Sequence, residues 1–372
     1  VSVYTRTQEC VTKSSNVFVS RICKNASCEP INILTIKDDI LMLAVEIKQY
    51  SRENHIAPYD EKLPRLFCDF PLLGTHDFSF PVVINCRRFD PNEPRNGIIL
   101  YGGESEQNKS ILENACSLYE SLIDYFIQND YKDIYNVVHL PPIKSKEWID
   151  QSWYEENIIL LLKRKIYGFP IFDIVDGSKL PLYDEWGLEG LFLSSDDTKE
   201  IRDAVWKLSN QLFPDKHVRY EDVDNWYYSL WDECRNYGVI ELITEVEKIG
   251  TLAKLGEKIP NAIEWLKQLY SLIYDKCSGN LEITKRDNKI FPNQHGDFCC
   301  INELKADSGI DEAYKEAASI IGIDLKAELA DKRISFRNIM SFNDVAYLMM
   351  NKAQELSLIH ISEPTRHSLI SY

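Results

Sequence analysis

Two hydrophobic periods divide this chain, and the period of a segment decides whether it can bury one face as a strand or as a helix. Residues 1–6 and 16–21 alternate apolar and polar side chains, the period-two pattern of half-buried strands. Residues 31–37 and 40–48 repeat it on either side of Asp38-Asp39, which reads as two strands about a tight turn. Residues 51–63 are polar, with Pro58 inside and Pro64 just beyond, and read as a loop. Residues 66–70, 80–87 and 97–101 are short apolar strands, separated by Pro71, Gly74, Pro91 and Pro94.

The helical period then takes over. Ile111, Leu112, Ala115, Leu118, Leu122, Ile123 and Phe126 fall on one helix face, with Ser110 and Glu113 as a capping box at its start. Residues 135–140 read as a strand and 148–165 as a helix. Asp176-Gly177 between residues 169–175 and 179–183 predicts a hairpin. From Asp196 the pattern is helical, with Ile201, Val205, Leu208 and Leu212 as a stripe. Further helices are predicted over 224–237, stopped by Gly238, and over 261–277. Residues 281–291 are extended, and 311–321, 324–329 and 343–355 are helical. No internal repeat stands out.

The expectation is an α+β protein. A β-rich N-terminal lobe with an antiparallel or mixed sheet occupies residues 1–101. A small α/β segment follows at 102–195, and a mostly helical lobe at 196–355. At 372 residues the length suits about two or three domains.

Lys and Arg number 42 against 58 Asp and Glu, a net charge of −16. Nucleic-acid affinity comes mainly from basic side chains on phosphates, so this charge argues against a nucleic-acid partner. No apolar run approaches the roughly 18 residues of a membrane span, so no membrane partner is expected. The ten cysteines form no C-x-x-C pair, and several lie in apolar runs. They read as reduced, packed thiols of a cytoplasmic protein, with no metal site.

The C-terminal segment 356–366, LSLIHISEPTR, resembles the translation of a transposon-end adapter from sequencing libraries. Residues 356–372 are therefore read as an artefactual tail, and His360 and His367 are set aside as ligands. The first methionine is Met42 and the chain opens in strand pattern, so the natural beginning is expected to lie upstream.

Direct motifs for chemistry are few. Phosphate-loop, dinucleotide, zinc-protease and nucleophile-elbow patterns do not occur. His295 and Asp297 sit in a Pro-Asn…His-Gly turn with no nucleophile beside them, and His76-Asp77 sits in another. Trp226, Tyr227, Tyr228 and Trp231 are spaced as a helix face, which favours a core role over a binding face. Arg87, Arg88 and Arg95 flank a proline-rich strand junction, where a rigid guanidinium fork suits phosphate, carboxylate or a surface salt bridge.

Three stretches together resemble bacterial proteins with a sacsin N-terminal ATP-binding-like domain, within the GHKL ATPase superfamily. They are LPRLFCDFPLLGT (63–75) with FPVVIN (80–85) and PNEPRNGI (91–98), then IFDIVDG (171–177), then FPNQHGDF (291–298) with ELKAD (303–307) and GIDE (309–312). The resemblance covers most of residues 1–350 and implies an ATP-binding fold related to that of the large heat-shock chaperone. That fold holds ATP and Mg²⁺ with an acidic-plus-Asn helix, a D-x-G-x-G loop and a glycine-rich lid. None of these elements occurs here, since the segment 307–311 has Asp311 where the second glycine belongs. No nucleotide-binding residue is carried over, and no cofactor is expected for this segment alone.

The resemblance thus implies the end of the ATPase fold and the coupling region after it, with the ATPase domain in cis as first partner and a protein client as another. In chaperone-type relatives a cation from this region reaches the γ-phosphate in the closed state. Arg95, inside the resembling stretch, is the first candidate for that role and Arg88 the second. The alternative is a non-catalytic interaction scaffold whose helical half docks a protein partner through an aromatic patch.

Overall fold

The computed structural model describes residues 4–11, 16–24, 30–183, 190–277, 287–307, 309–320, 322–335, 351 and 354. Two compact units result, Val1–Leu193 with Asp215–Asn236, and Ser194–Pro214 with Tyr237–Tyr372. A mixed sheet at the N-terminal end is followed by helices, so the protein is α+β with a β-rich N-terminal part.

In the first unit, β1 (Tyr4–Cys10), β2 (Val17–Lys24), β3 (Ile31–Lys37) and β4 (Met42–Tyr50) form an antiparallel meander. Asp38 makes the β3–β4 turn, its carboxylate accepting the Ile40 and Leu41 N–H groups at 2.7 and 2.8 Å. β5 (Glu53–Ile56) pairs with the second half of β4, inside the stretch expected to be loop. Its polar residues suit a strand whose ladder bonds, not its side chains, hold it in place. The sheet continues through β8 (Val83–Asn85) to β6 (Leu66–Cys68), the one parallel pair, and ends at β7 (Phe70–Pro71). Residues 97–101 do not form the expected strand. They keep a single bridge between Pro91 and Ile98.

Helix α1 (Glu106–Gln128) lies against β3 and β4. Leu112, Ala115, Cys116, Tyr119, Leu122, Ile123 and Phe126 are all fully buried on its inner face. Each large apolar side chain so buried contributes about 1.5–3 kcal/mol. The helix starts earlier than the Ser110–Glu113 pair suggested, with Ser105 at the N-cap position, so Ser110 is an interior residue. The Tyr119 hydroxyl reaches the Val137 carbonyl at 2.8 Å. Residues 134–137 are a 3₁₀ turn instead of a strand, since Asp133 turns left-handed just before them (φ 63°). The next helix runs as α2 (Gln151–Tyr154), a π turn (Glu155–Ile159) and α3 (Leu160–Gly168). Helix α5 (Val223–Ser229) is shorter than the aromatic run implied.

In the second unit α4 (Lys199–Leu212), α6 (Val239–Ile249), α7 (Leu252–Lys258) and α8 (Ala262–Ser271) pack as a bundle, with a π turn (Leu272–Lys276) extending α8. Gly238 begins α6 instead of ending its predecessor: its N–H is held by the Glu241 carboxylate at 2.9 Å. Two short helices follow, α9 (Glu312–Ile320) and α10 (Leu325–Glu328). The helix expected over 343–355 lies outside the described residues, residues 351 and 354 apart.

Each unit contains one copy of the same hairpin module. In the first, β9 (Phe172–Asp173) pairs with β10 (Lys179–Leu180). In the second, β11 (Phe291–Pro292) pairs with β12 (Phe298–Cys299) in the same register. Gly177 and Gly296 turn left-handed at φ 89° and 91°, and their N–H groups bond back to Ile174 and Asn293, both at 3.0 Å. A returning segment then bridges each hairpin antiparallel, Ile174 to Val218 and Asn293 to Ala330. A further arm bridges that segment in parallel, Phe192 to His217 and Lys305 to Leu329. The remaining bonds agree too: Val175 N–H to His217 and Gln294 N–H to Leu329, Arg219 N–H to Asp173 and Asp331 N–H to Pro292. The chain is a structural tandem that its sequence does not announce.

Candidate functional site

The segment joining β8 to α1 carries both candidate arginines, and it is held unusually firmly for a surface loop. Asn108, in the first turns of α1, is fully buried and clamps the base of the loop. Its Oδ1 accepts the Asp90 N–H at 2.8 Å, and its Nδ2 donates to the Asp90 and Ile99 carbonyls at 2.8 and 2.9 Å. An asparagine spending three of its four bonds this way ties two chain segments to one helix. The same burial removes Asn108 as a glycan acceptor, although it heads an N-x-S triplet. At the tip, Asn92 Oδ1 accepts the Asn96 and Gly97 N–H groups at 3.0 and 3.1 Å. Gly97 is needed there, because a Cβ would meet the Trp148 indole at 2.1 Å. Trp148 is itself buried and stacks on Phe78 with ring centroids 5.9 Å apart.

Arg95 is exposed on this tip, and its backbone is left-handed at φ 55°. That conformation costs a side-chain-bearing residue about 1–2 kcal/mol, and glycine or asparagine adopts it more easily. Its N–H closes the turn onto the Asn92 carbonyl at 2.8 Å. Among the described residues its guanidinium has no carboxylate partner. Arg88 lies at the other end of the same segment, also exposed and without a side-chain partner among the described residues. Its backbone is fixed, the N–H toward Cys86 Sγ and the carbonyl accepting Gln107 Nε2. Arg87, by contrast, is committed to Asp69 at 2.8 Å.

The histidine and aromatic candidates have structural partners. His295 faces Asp324 at 2.8 Å and not Asp297, on an exposed turn. Asp77 is taken by Lys146 and, at 3.3 Å, by Lys144. Trp226 is buried against Phe172, the ring centroids 4.1 Å apart, while Tyr228 stays 65% exposed. Asp307 caps its own turn by accepting the Gly309 and Ile310 N–H groups, and its other oxygen holds the buried Lys315 at 2.6 Å. Cys116, Cys234 and Cys277 are free and buried, where desolvation raises their thiol pKa values.

Among the described residues no three His, Cys, Asp or Glu side chains gather to hold an ion, and no helix is long and apolar enough to cross a membrane. Sequence reasoning missed Asn92, Asn108 and Trp148, which make the loop rigid. An asparagine inside a helix start and a tryptophan before one carry no signal of the distant backbone they hold. No family model, curated protein or solved structure matches the chain.

Proposed function

We propose that this chain is the coupling region downstream of a GHKL-type, chaperone-like ATP-binding domain, and that Arg95 is its phosphate-sensing cation. One observation carries the reading. A guanidinium without a partner among the described residues stands at the tip of a loop clamped by Asn92 and Asn108, on a backbone conformation that arginine adopts only at a cost. Strained residues persist where the surroundings over-determine them, and they cluster at sites of binding and switching. A preorganised cation stabilises developing phosphate charge without reorganising during the reaction. ATP and Mg²⁺ belong, on this reading, to the domain in cis, and Arg95 would make its closure depend on the γ-phosphate. Arg88, on the same segment, is the second candidate.

The test is steady-state ATP turnover by the protein that includes the upstream ATP-binding domain, with Arg95→Ala and Arg88→Ala beside it. A loss of about tenfold or more in turnover for Arg95→Ala, with normal thermal unfolding, is expected. Unchanged turnover in a folded variant removes the role.

A second reading, a non-catalytic protein-interaction scaffold in the cytoplasm, draws on the duplicated hairpin module. Partner capture that survives loss of ATP binding upstream would favour this reading over the first.

A further inference from the structure

A cleft of about 460 Å³ lies wholly within the first unit, and Arg65 forms part of its wall. This arginine is 4% exposed. Its Nη1 donates to the Pro81 carbonyl at 2.7 Å, and its guanidinium carbon sits 3.3 Å from the centre of the Tyr59 ring. Its Nε has no hydrogen-bond partner, and no carboxylate pairs with it among the described residues. Burying a cation without a counter-ion costs several kcal/mol. One carbonyl and one aromatic face recover only part of that.

The remaining lining makes the imbalance a property of the whole cleft. Lys144, His76 and His139 also face it. The lining carboxylates are Glu61, on the exposed rim, and Asp77, whose charge is taken by Lys146 from outside the lining, with Lys144 at 3.3 Å on the cleft side. Arg65 and Lys144 thus face one concavity of ligand size in a chain of net charge −16. Burial lowers the Arg65 pKa to about 10, which agrees with a guanidinium lacking its anion.

We propose that this cleft binds a small anionic molecule whose carboxylate or phosphate group sits on Arg65. Lys144 at the wall screens the rest of the ligand's charge, and His139, which burial keeps neutral near pH 7, adds a polar ring. Nη1 is held by the Pro81 carbonyl, so either oxyanion would meet the guanidinium through its remaining N–H donors, which a carboxylate and a phosphate both accept. The site does not involve Arg95 or a nucleotide domain, so it stands or falls independently of the coupling reading.

Inorganic phosphate and succinate are titrated separately into the isolated chain by calorimetry, with thermal unfolding followed in parallel against sodium chloride of equal ionic strength. Saturable binding of at least one anion, with a rise in unfolding temperature that the chloride control lacks, is expected. Whichever anion binds identifies the source as phosphate-bearing or carboxylate-bearing. Arg65→Gln should abolish binding. Because that residue is buried, the paired substitution Lys144→Ala with His139→Ala serves as a second variant, folded and at least about tenfold weaker in affinity. The proposal is overturned if neither anion binds the unsubstituted chain. It is equally overturned if affinity is unchanged in the folded Lys144→Ala, His139→Ala variant.

Discussion

His217 and Leu329 occupy the same place in the two copies of the hairpin module. Each accepts a hairpin N–H through its carbonyl, at 3.1 and 2.9 Å, and each bridges its arm in parallel, to Phe192 and Lys305. Each is also buried, His217 to 3% exposure and Leu329 to 0%. One module has put an ionisable ring where the other has a hydrocarbon.

That difference predicts an acid-sensitive first unit. Burial pushes the His217 imidazole down from 6.5 to about 4, with Asp215 opposing weakly. A depressed histidine folds neutral, so its contribution is fully present above pH 6.5 and is lost as pH falls toward 4. The loss amounts to about 3 kcal/mol over that window. His217→Leu, which copies the second module, should flatten this dependence while leaving stability at pH 7.5 within about 1 kcal/mol. Denaturant unfolding at several pH values measures it. A slope unchanged by the substitution would mean that another group carries the acid response.

In the second unit Asp196 behaves in the opposite sense. Burial raises its carboxyl from 3.8 to about 6, and the nearby Glu241 and Asp197 push the same way. Among the described residues its Oδ2 has no partner. A raised carboxylate gives stability that is present below pH 3.8 and lost as pH climbs through 6. Asp196→Asn keeps the acceptor for the Val239 N–H and removes the charge. At pH 7 it should stabilise the second unit by about 1 kcal/mol, a figure discounted for the group's partial exposure. Near pH 3 it should change nothing. A destabilised variant at pH 7 would show that the charge is needed.

Much of the architecture could be read from spacing alone, and the failures have identifiable causes. The β1–β4 meander, α1, α4 and α8 follow strong periodic patterns that burial then enforces. β5 was hidden because the residues 53–56 are polar and the strand is held by backbone bonds to β4. Glycine commonly ends helices, so Gly238 reads as a stop, whereas here it opens one. The tandem module escaped because the two copies share Ile171 with Ile290, Phe172 with Phe291 and Gly177 with Gly296, and little else. Those three residues suffice for one turn and one buried edge, and backbone bonding, which sequence does not display, repeats the rest. Arg95 and Arg88 are candidates through the resemblance alone, but the clamp that makes Arg95 notable comes from Asn92 and Asn108. Arg65 lay inside the resembling stretch 63–75, yet nothing local marks it as buried without an anion.

The Asp307–Lys315 pair gives a stability test in the second unit. Both side chains are 1% exposed and 2.6 Å apart, and Lys315 also donates to Gln294 at 2.8 Å and Glu312 at 3.0 Å. Lysine holds the Asp307 carboxyl well below its ordinary range. Lys315→Met leaves that carboxylate buried, with the half-exposed Lys332 at 3.3 Å as its cation beside the Gln294 Nε2 donor at 2.7 Å and the two turn N–H groups. Breaking such a pair from one side costs about 3–5 kcal/mol. Replacing both members, as Lys315→Met with Asp307→Leu, should recover part of the loss, although the Asp307 turn loses its cap. Equal losses for the single and double substitutions would argue that the cap, not the ion pair, carries the stability.

Arg95 yields a prediction in which stability and function move apart. Its left-handed backbone costs about 1–2 kcal/mol with a side chain, and glycine relieves this at an entropic cost of about 0.5–1 kcal/mol. Arg95→Gly should therefore stabilise the first unit by about 0.5–1 kcal/mol, measured by denaturant unfolding of the isolated chain. On the proposed coupling reading, the same substitution should lower ATP turnover once this chain is joined to a GHKL-type ATP-binding domain. A residue held only for structure would lose stability when replaced. A residue held for its charge leaves a more stable and less active protein behind, because the fold no longer maintains an arginine where glycine fits better. Lower stability in Arg95→Gly would show that the tip arginine supports its own loop, and would take away the strain on which its functional assignment is built.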